Sequence, residues 1–357
     1  MASSRPPESR WRDLLRQVPG LRPAYRALRA AWWRLKDGVT DRWWLFRGAA
    51  PFGLWSRQRV MAVWAEGAER RERIHGGEAT LWLDSPQVLR DYVFPQFEGK
   101  HWYQYVADRC CPQPRERGLS LCCGDGEVER NLLRFGICQR CEGSDVSVHA
   151  LQIARRKADQ AGFADRLSYR VADIERAHLT PESYDVIVAW MALHHLRNLR
   201  HVLSEVRRAL KPDGIFIVNE YVGPARFQVP DDRVAYVNSL LASLPEELRR
   251  KPGGADIKGS FVRPRLSQII RHDPSEAVSS HRILPELRRR FVIAEEIGYG
   301  GAILQWLLEG MVQNFREDDP EHRAHLERLY AAERELLRTG RFASDFAFVI
   351  ARRPARP

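Results

Sequence analysis

A membrane-spanning helix needs about eighteen consecutive apolar residues, and this sequence has no such run, so no transmembrane segment is expected. Lysine is nearly missing as well. Of the 57 basic residues 51 are arginine, a bias spread over the whole chain that weakens any argument from arginine to one particular ligand. Residues 1–17 carry charge with no apolar stretch behind them, which argues against a secretory leader and leaves the cytoplasm as the expected location. Cysteine is sparse: six in all, placed as Cys110–Cys111, Cys122–Cys123, Cys138 and Cys141. The C-x-x-C spacing of the last pair invites a zinc or redox reading. No nearby histidine completes a ligand set, and neighbours at a strand end such as Cys122 and Cys123 point to opposite faces. Buried or semi-buried free thiols without a metal are therefore expected.

What is present is a chain of 357 residues, 44% hydrophobic and 10% aromatic, enough for a large folded core with additions. The net charge of +11 is concentrated at one end. Residues 1–59 hold thirteen Arg or Lys against four Asp or Glu, and six of the eleven tryptophans. Three readings suit this segment: a helical extension that packs its tryptophans on the main domain, a peripheral contact with an anionic membrane surface, or a nucleic-acid arm. Residues 8–75 read mainly as helices, broken at 48–53 and ended by Gly76–Gly77. The chain thus divides into a basic, Trp-rich extension over 1–85 and a main domain over 86–357.

From about residue 117 short apolar strands alternate with amphipathic helices. Strands are expected at 118–123, 138–145, 167–173, 183–193 and 214–222, with helices at 127–136, 148–163 and 199–210. After a Pro-, Arg- and charge-rich break at 225–290 come a strand at 290–301, a helix at 303–315, another at about 320–338, and a strand at 345–353. This is the pattern of parallel βαβ units and predicts an α/β fold with a doubly wound, mostly parallel seven-stranded sheet. The break at 225–290 is expected to form a cap over a substrate pocket. Its Asp273, Ser275, Glu276 and His281 suit an acceptor pocket, and suit a turn with a helix cap equally well.

Chemistry gathers at the predicted strand ends. The first strand runs into Cys122-Cys123-Gly124-Asp125-Gly126, where glycine permits positive φ and a close approach of backbone to ligand. Asp145 ends the second strand, twenty-one residues after Gly124. At that offset a carboxylate can accept from two ribose hydroxyls, although Asp also caps helices readily. Asp173-Ile174 closes the third strand. Trp190-Met191-Ala192-Leu193-His194-His195-Leu196 lies at the carboxyl end of the fourth, the edge where open α/β sheets bind ligands. A neutral imidazole there can take a proton from an acceptor hydroxyl, or can orient the loop instead. A Lys211-Pro212-Asp213-Gly214 turn precedes the fifth strand, at whose far end stand Glu220 and Tyr221.

Taken in series, these segments resemble the class I S-adenosylmethionine-dependent methyltransferases, strongly over about residues 115–225. Two positions depart from the family pattern: Cys122 stands where the first glycine is usual, and Ser120 where an acid is usual. The resemblance implies a cofactor site built from Ser120, Cys122, Gly124, Asp125, Gly126, Asp145, Val146, Asp173, Ile174 and Trp190, with Asp145 on the ribose and Asp173 with Ile174 on the adenine. It makes His194, His195 and Glu220 the candidate catalytic residues. The segments Asn219–Pro224 and Arg226–Gln228 look like a subgroup of bacterial biosynthetic enzymes that act on glycans or secondary metabolites. The expected reaction is methyl transfer to a hydroxyl of a small molecule or glycan, with no metal. Three alternatives remain: an RNA methyltransferase using residues 1–59, a non-catalytic scaffold that binds S-adenosylmethionine, and a dehydrogenase. LHHL in place of a base-methylation motif speaks against the first, and the incomplete glycine pattern for pyrophosphate against the last. Nothing in the sequence reports the oligomeric state.

Overall fold

A computed structural model describes residues 81–253 and 256–355, together with Val60 and Val63. The basic segment 1–59 lies outside the described residues. The strands are β1 Arg115–Leu121, β2 Cys138–Asp145, β3 Leu167–Val171, β4 Tyr184–Trp190, β5 Leu210–Tyr221, β6 Val292–Gly300 and β7 Phe346–Arg352. They form one sheet in the order β3-β2-β1-β4-β5-β7-β6. β1 to β5 pair in parallel, while β7 runs antiparallel to both its neighbours. The doubly wound, mostly parallel seven-stranded sheet expected from the sequence is the fold.

Residue patterning accounts for the layers. Along β5, Ile215 and Ile217 join one core and Phe216 and Val218 the other, as strand alternation demands. In β4 every residue from Tyr184 to Ala189 is buried, and from Val186 to Ala189 the run is wholly apolar, as in a parallel strand covered on both faces. Each such aliphatic or aromatic side chain contributes roughly 1.5–3 kcal/mol relative to exposure.

The α-helices of five residues or more among the described residues, in chain order, are α1 Trp102–Cys110, α2 Glu127–Arg134, α3 Val148–Gln160, α4 Leu199–Ala209, α5 Asp231–Ala242, α6 Leu266–His272, α7 Ile283–Arg290, α8 Leu304–Leu308 and α9 Pro320–Arg338. α1, α2, α3 and α9 feed the first core, α4 and α7 the second. Among the described residues no helix is long and apolar enough to cross a membrane. Helix starts are chemically marked: the Ser147 hydroxyl accepts from the Ala150 N–H at α3, and Asp319 accepts from Glu321 and His322 at α9, where Pro320 is the first helical residue.

Local differences from the expected elements have local causes. Residues 303–315 are not one helix: α8 stops at Leu308, and a separate turn, Val312–Asn314, follows Gly310 at φ 69°. The start of α8 is pinned from α9 instead, where the fully buried Glu333 accepts N–H bonds from Gly301, Ile303 and Leu304 and the Tyr92 hydroxyl proton. β1 ends at Leu121 because Cys122 turns to φ 52°.

The strand order places β4 beside β1, on the side away from β2. Connections from β1 and β4 therefore leave in opposite directions and open a crevice at their carboxyl ends.

Candidate active site

One wall of the crevice is the turn after β1. Cys122, Gly124 and Gly126 all have positive φ, at 52°, 55° and 76°. A side chain at Gly126 would collide with the Tyr169 hydroxyl at 2.5 Å and the Ala154 Cβ at 2.9 Å, whereas a Cβ at Gly124 would meet nothing within 4 Å. The turn is closed below and open above. Across it stands Asp145, whose Oδ2 accepts from Gly124 N at 2.9 Å and Oδ1 from Ser147 N at 2.8 Å. Asp145 does not cap α3, since Ser147 does. Asp125 faces α3, where it pairs with Lys157 at 2.6 Å. Asp173 accepts from Glu175 N at 3.1 Å, and Ile174 is buried in the second core. Val146 is half-buried, and Trp190 stacks on Tyr103 with centroids 4.8 Å apart.

Cys122 is half-buried at this turn. Its thiol is held well above the ordinary range, by burial first and then by Asp145, Glu220, Glu175 and Asp173. All six cysteines are free thiols. The C-x-x-C pair lies inside the first core, where a Cβ at Gly118 would meet the Sγ atoms of Cys138 and Cys141, each at 3.1 Å.

The opposite wall is the segment after β4. Met191 takes φ 50° and a single turn, Leu193–His195, follows. Glu220, 0% exposed at the end of β5, holds this segment in place. Its Oε1 accepts from Ala192 N and Leu193 N, both at 2.6 Å, and its Oε2 lies 2.7 Å from His194 Nδ1. Burial pulls the His194 pKa down, but Glu220, with Glu276 and Asp273 behind it, outweighs this and leaves it raised. On its other side, His194 Nε2 is 3.7 Å from Glu276.

His195 is in the opposite state. Burial, His194 and Arg226 hold its pKa well below the ordinary value. Its Nδ1 lies 3.2 Å from Ser275 Oγ, which donates to Asp273 Oδ1 at 2.6 Å. Ser275 has one proton and gives it to Asp273, so it must accept from His195 Nδ1–H. The lone pair of the ring is thereby assigned to Nε2.

The segment that brings Asp273 and Ser275 here is held by Arg226, which donates to the carbonyls of Pro274 at 2.8 Å and Glu276 at 2.9 Å. His281 is exposed and does not line this site. His194, His195 and Glu276 each offer a ligand atom within 4.8 Å of the others, the one group among the described residues able to surround a cation.

His194, His195 and Glu276 line a cavity of about 1010 Å³, with Tyr221, Phe227, Phe261 and Trp306 among its walls. Lys258 fastens the far wall by donating to the carbonyls of Trp306, Leu307 and Glu309 at the end of α8, and burial pushes its pKa down to about 8.

A family model described as a methyltransferase domain matches residues 119–218, the span from β1 through β5 that holds the turn, Asp145 and the β4 segment. Residues 119–218 are a methyltransferase domain. The curated relatives of this methyltransferase domain include a sterol 24-C-methyltransferase of Clavispora lusitaniae, 27% identical over 176 residues that cover 48% of this chain and 46% of that protein. They also include a ubiquinone/menaquinone biosynthesis C-methyltransferase of Cereibacter sphaeroides, 26% identical over 120 residues that cover 34% and 48%. The chain spans less than half the length of these relatives. Among solved structures, a phosphoethanolamine N-methyltransferase of Haemonchus contortus in complex with S-adenosyl-L-methionine aligns with TM-score 0.47 and 17% identity over 82% of this chain and 57% of that one.

Proposed function

We propose that the crevice between β1 and β4 binds S-adenosylmethionine and that the protein transfers its methyl group to an apolar small molecule held in the adjoining cavity. The observation that carries this reading is the turn Cys122–Gly126, open above Gly124 and set against Asp145, with Asp173, Glu175 and Glu220 also acting on Cys122. A cationic ligand with a ribose suits that arrangement. Asp145 would accept from the ribose hydroxyls, Asp173 and Ile174 would meet the adenine, and Val146 and Trp190 would flank it. When bound, S-adenosylmethionine supplies a methyl group on an electron-poor sulfur, so the protein's contribution is alignment and exclusion of water.

The acceptor follows from the cavity. A cavity of about 1010 Å³, whose walls set Trp82, Tyr221, Phe227, Phe261, Trp306 and Phe346 beside charged and polar side chains, lies at the upper end of small-molecule sites and has room for a polycyclic or isoprenoid-like compound carrying a polar group. The relatives named as sterol and quinone C-methyltransferases move the proposed acceptor atom from the expected hydroxyl towards carbon. In that reaction bound S-adenosylmethionine would supply the methyl group and its sulfur would keep the bonding electrons, an electron pair of the acceptor would form the new C–C bond, and a proton would leave the acceptor. His195 Nε2 is placed to take that proton. The same imidazole supports the second reading, in which the proton comes from an acceptor hydroxyl.

Incubation with methyl-¹³C S-adenosylmethionine and parallel panels of sterols, prenylated quinones, phenols and sugars tests both, with carbon NMR of the product. Carbon-bound label on an apolar acceptor is expected. Label on sugars alone, or cofactor binding with no transfer to any panel, would overturn the proposal.

A further inference from the structure

Six large apolar side chains are exposed among the described residues, and three of them gather at one place. Leu81, 53% exposed, and Val262, 75% exposed, also line the 1010 Å³ cavity. A side chain that does both stands where the cavity meets solvent, so these two mark its mouth. The third, Ile257, bridges to Arg250 in the loop that sets Lys251 and Lys258 on the cavity wall. Exposed apolar groups clustered in this way mark an interaction surface.

The chain around the mouth is basic. Residues 249–272 hold seven Arg or Lys against one acid, Asp256. Residues 1–59 add +9 and six tryptophans, and the chain they lead into comes to the same cavity, where Val63 is on the wall. These two segments carry +6 and +9, or +15 together, against +11 for the whole protein, so all other residues sum to −4. The positive charge is gathered, not spread. Of the acids on the cavity wall, Asp273 and Glu276 lie beside His195 and His194, which leaves Glu309. A nucleic acid would meet the charge but not the aliphatic rim. An anionic bilayer meets both, and tryptophan is at home at its interface.

We propose that the mouth of this cavity docks on an anionic lipid bilayer. Leu81, Ile257 and Val262 enter the interface, the basic segment 249–272 meets lipid phosphates, and an apolar acceptor passes from the membrane into the cavity without crossing water. The passage of the acceptor rests on the reading of the cavity as the acceptor site; the docking does not.

Sedimentation of the full chain with vesicles tests the docking, once with phosphatidylcholine alone and once with phosphatidylcholine and phosphatidylglycerol in equal proportion. Neither cofactor nor acceptor is needed. Partition onto the anionic vesicles is expected, falling as salt is raised. Leu81→Asp with Val262→Asp should weaken it by roughly tenfold or more, since partition scales with buried apolar area and with charge. Val171→Asp with Val292→Asp adds the same charge at apolar sites of β3 and β6 that are 53% and 54% exposed, and should leave partition largely intact. No partition onto anionic vesicles would overturn the proposal, as would no loss in the rim variant or equal loss in both. RNA that displaces the vesicles at lower concentration would assign the charge to a nucleic acid and overturn it too. Transfer to a detergent-dispersed acceptor by protein that ignores vesicles would overturn the docking and leave the reaction in place.

Discussion

Glu220 and His194, from the ends of β5 and the segment after β4, meet across 2.7 Å in the protein interior. The same carboxylate takes the N–H groups of Ala192 and Leu193. One acid therefore fixes both the course of the segment and the orientation of its first imidazole.

Glu220→Ala is expected to cost about 3–5 kcal/mol of stability, the range for breaking a buried charged pair, measured by urea unfolding. The His194 pKa is raised above 6.5 in the folded state. Its share of the stability is thus complete below pH 6.5 and is lost as pH rises through the higher folded value. A double-mutant cycle of Glu220→Gln with His194→Gln should give a larger coupling at pH 6 than in alkaline buffer.

His195→Gln should lower the turnover rate by about 100-fold, the lower range for loss of a general base, with cofactor affinity unchanged in calorimetry. Because its pKa lies well below 6.5, the imidazole stays neutral as pH falls through that value. The rate of the unaltered protein should therefore remain flat from pH 8 to pH 6, and a fall centred near 6.5 would argue against His195 as the base.

Asp145→Ala should weaken S-adenosylhomocysteine by roughly 100-fold, corresponding to about 3 kcal/mol for two hydrogen bonds to a charged group. Thermal unfolding of the variant checks that the loss is not of the fold, since Gly124 and Ser147 also lean on this carboxylate.

Cys122 holds a left-handed conformation, φ 52°, that costs a non-glycine residue about 1–2 kcal/mol. Cys122→Gly removes that strain and gives back part of it as greater freedom of the unfolded chain. A net gain of about 0.5–1 kcal/mol is expected from chemical denaturation, with cofactor binding retained.

A chelator should leave turnover unchanged. The three atoms able to surround a cation include those of His194, which Glu220 and Glu276 flank as counter-charges. Loss of activity in EDTA, restored by one divalent metal, would instead make this cluster a metal site.

Periodicity made the scaffold legible. β2, expected at 138–145, runs Cys138–Asp145, and α9 occupies the expected 320–338; along α9 burial recurs every three or four residues, at Leu326, Leu329, Tyr330, Glu333 and Leu336. The sites depend on adjacency that no local pattern carries. His195 and Ser275 are eighty residues apart, so nothing in the sequence shows that Ser275 sets the histidine's tautomer. Glu220 stands among the catalytic candidates of the sequence, whereas its oxygens serve the neighbouring segment, a role visible only once β4 and β5 are paired. Glu129, a fully buried acid of α2, went unremarked because a charged residue in the first turn of a helix ordinarily faces water. Its burial follows from how α2 packs against β2.

The placement of β7 between β5 and β6 orders events during synthesis. β5 emerges from the ribosome more than a hundred residues before its second neighbour, and β6 emerges before it has any neighbour at all. Until residues 346–352 are available, β5 presents an unpaired, apolar edge ready to accept a foreign strand. The parallel half of the sheet can assemble early, but closure waits on a single late segment. Nascent chains stalled within α9 should therefore call on chaperones far more than chains stalled past β7.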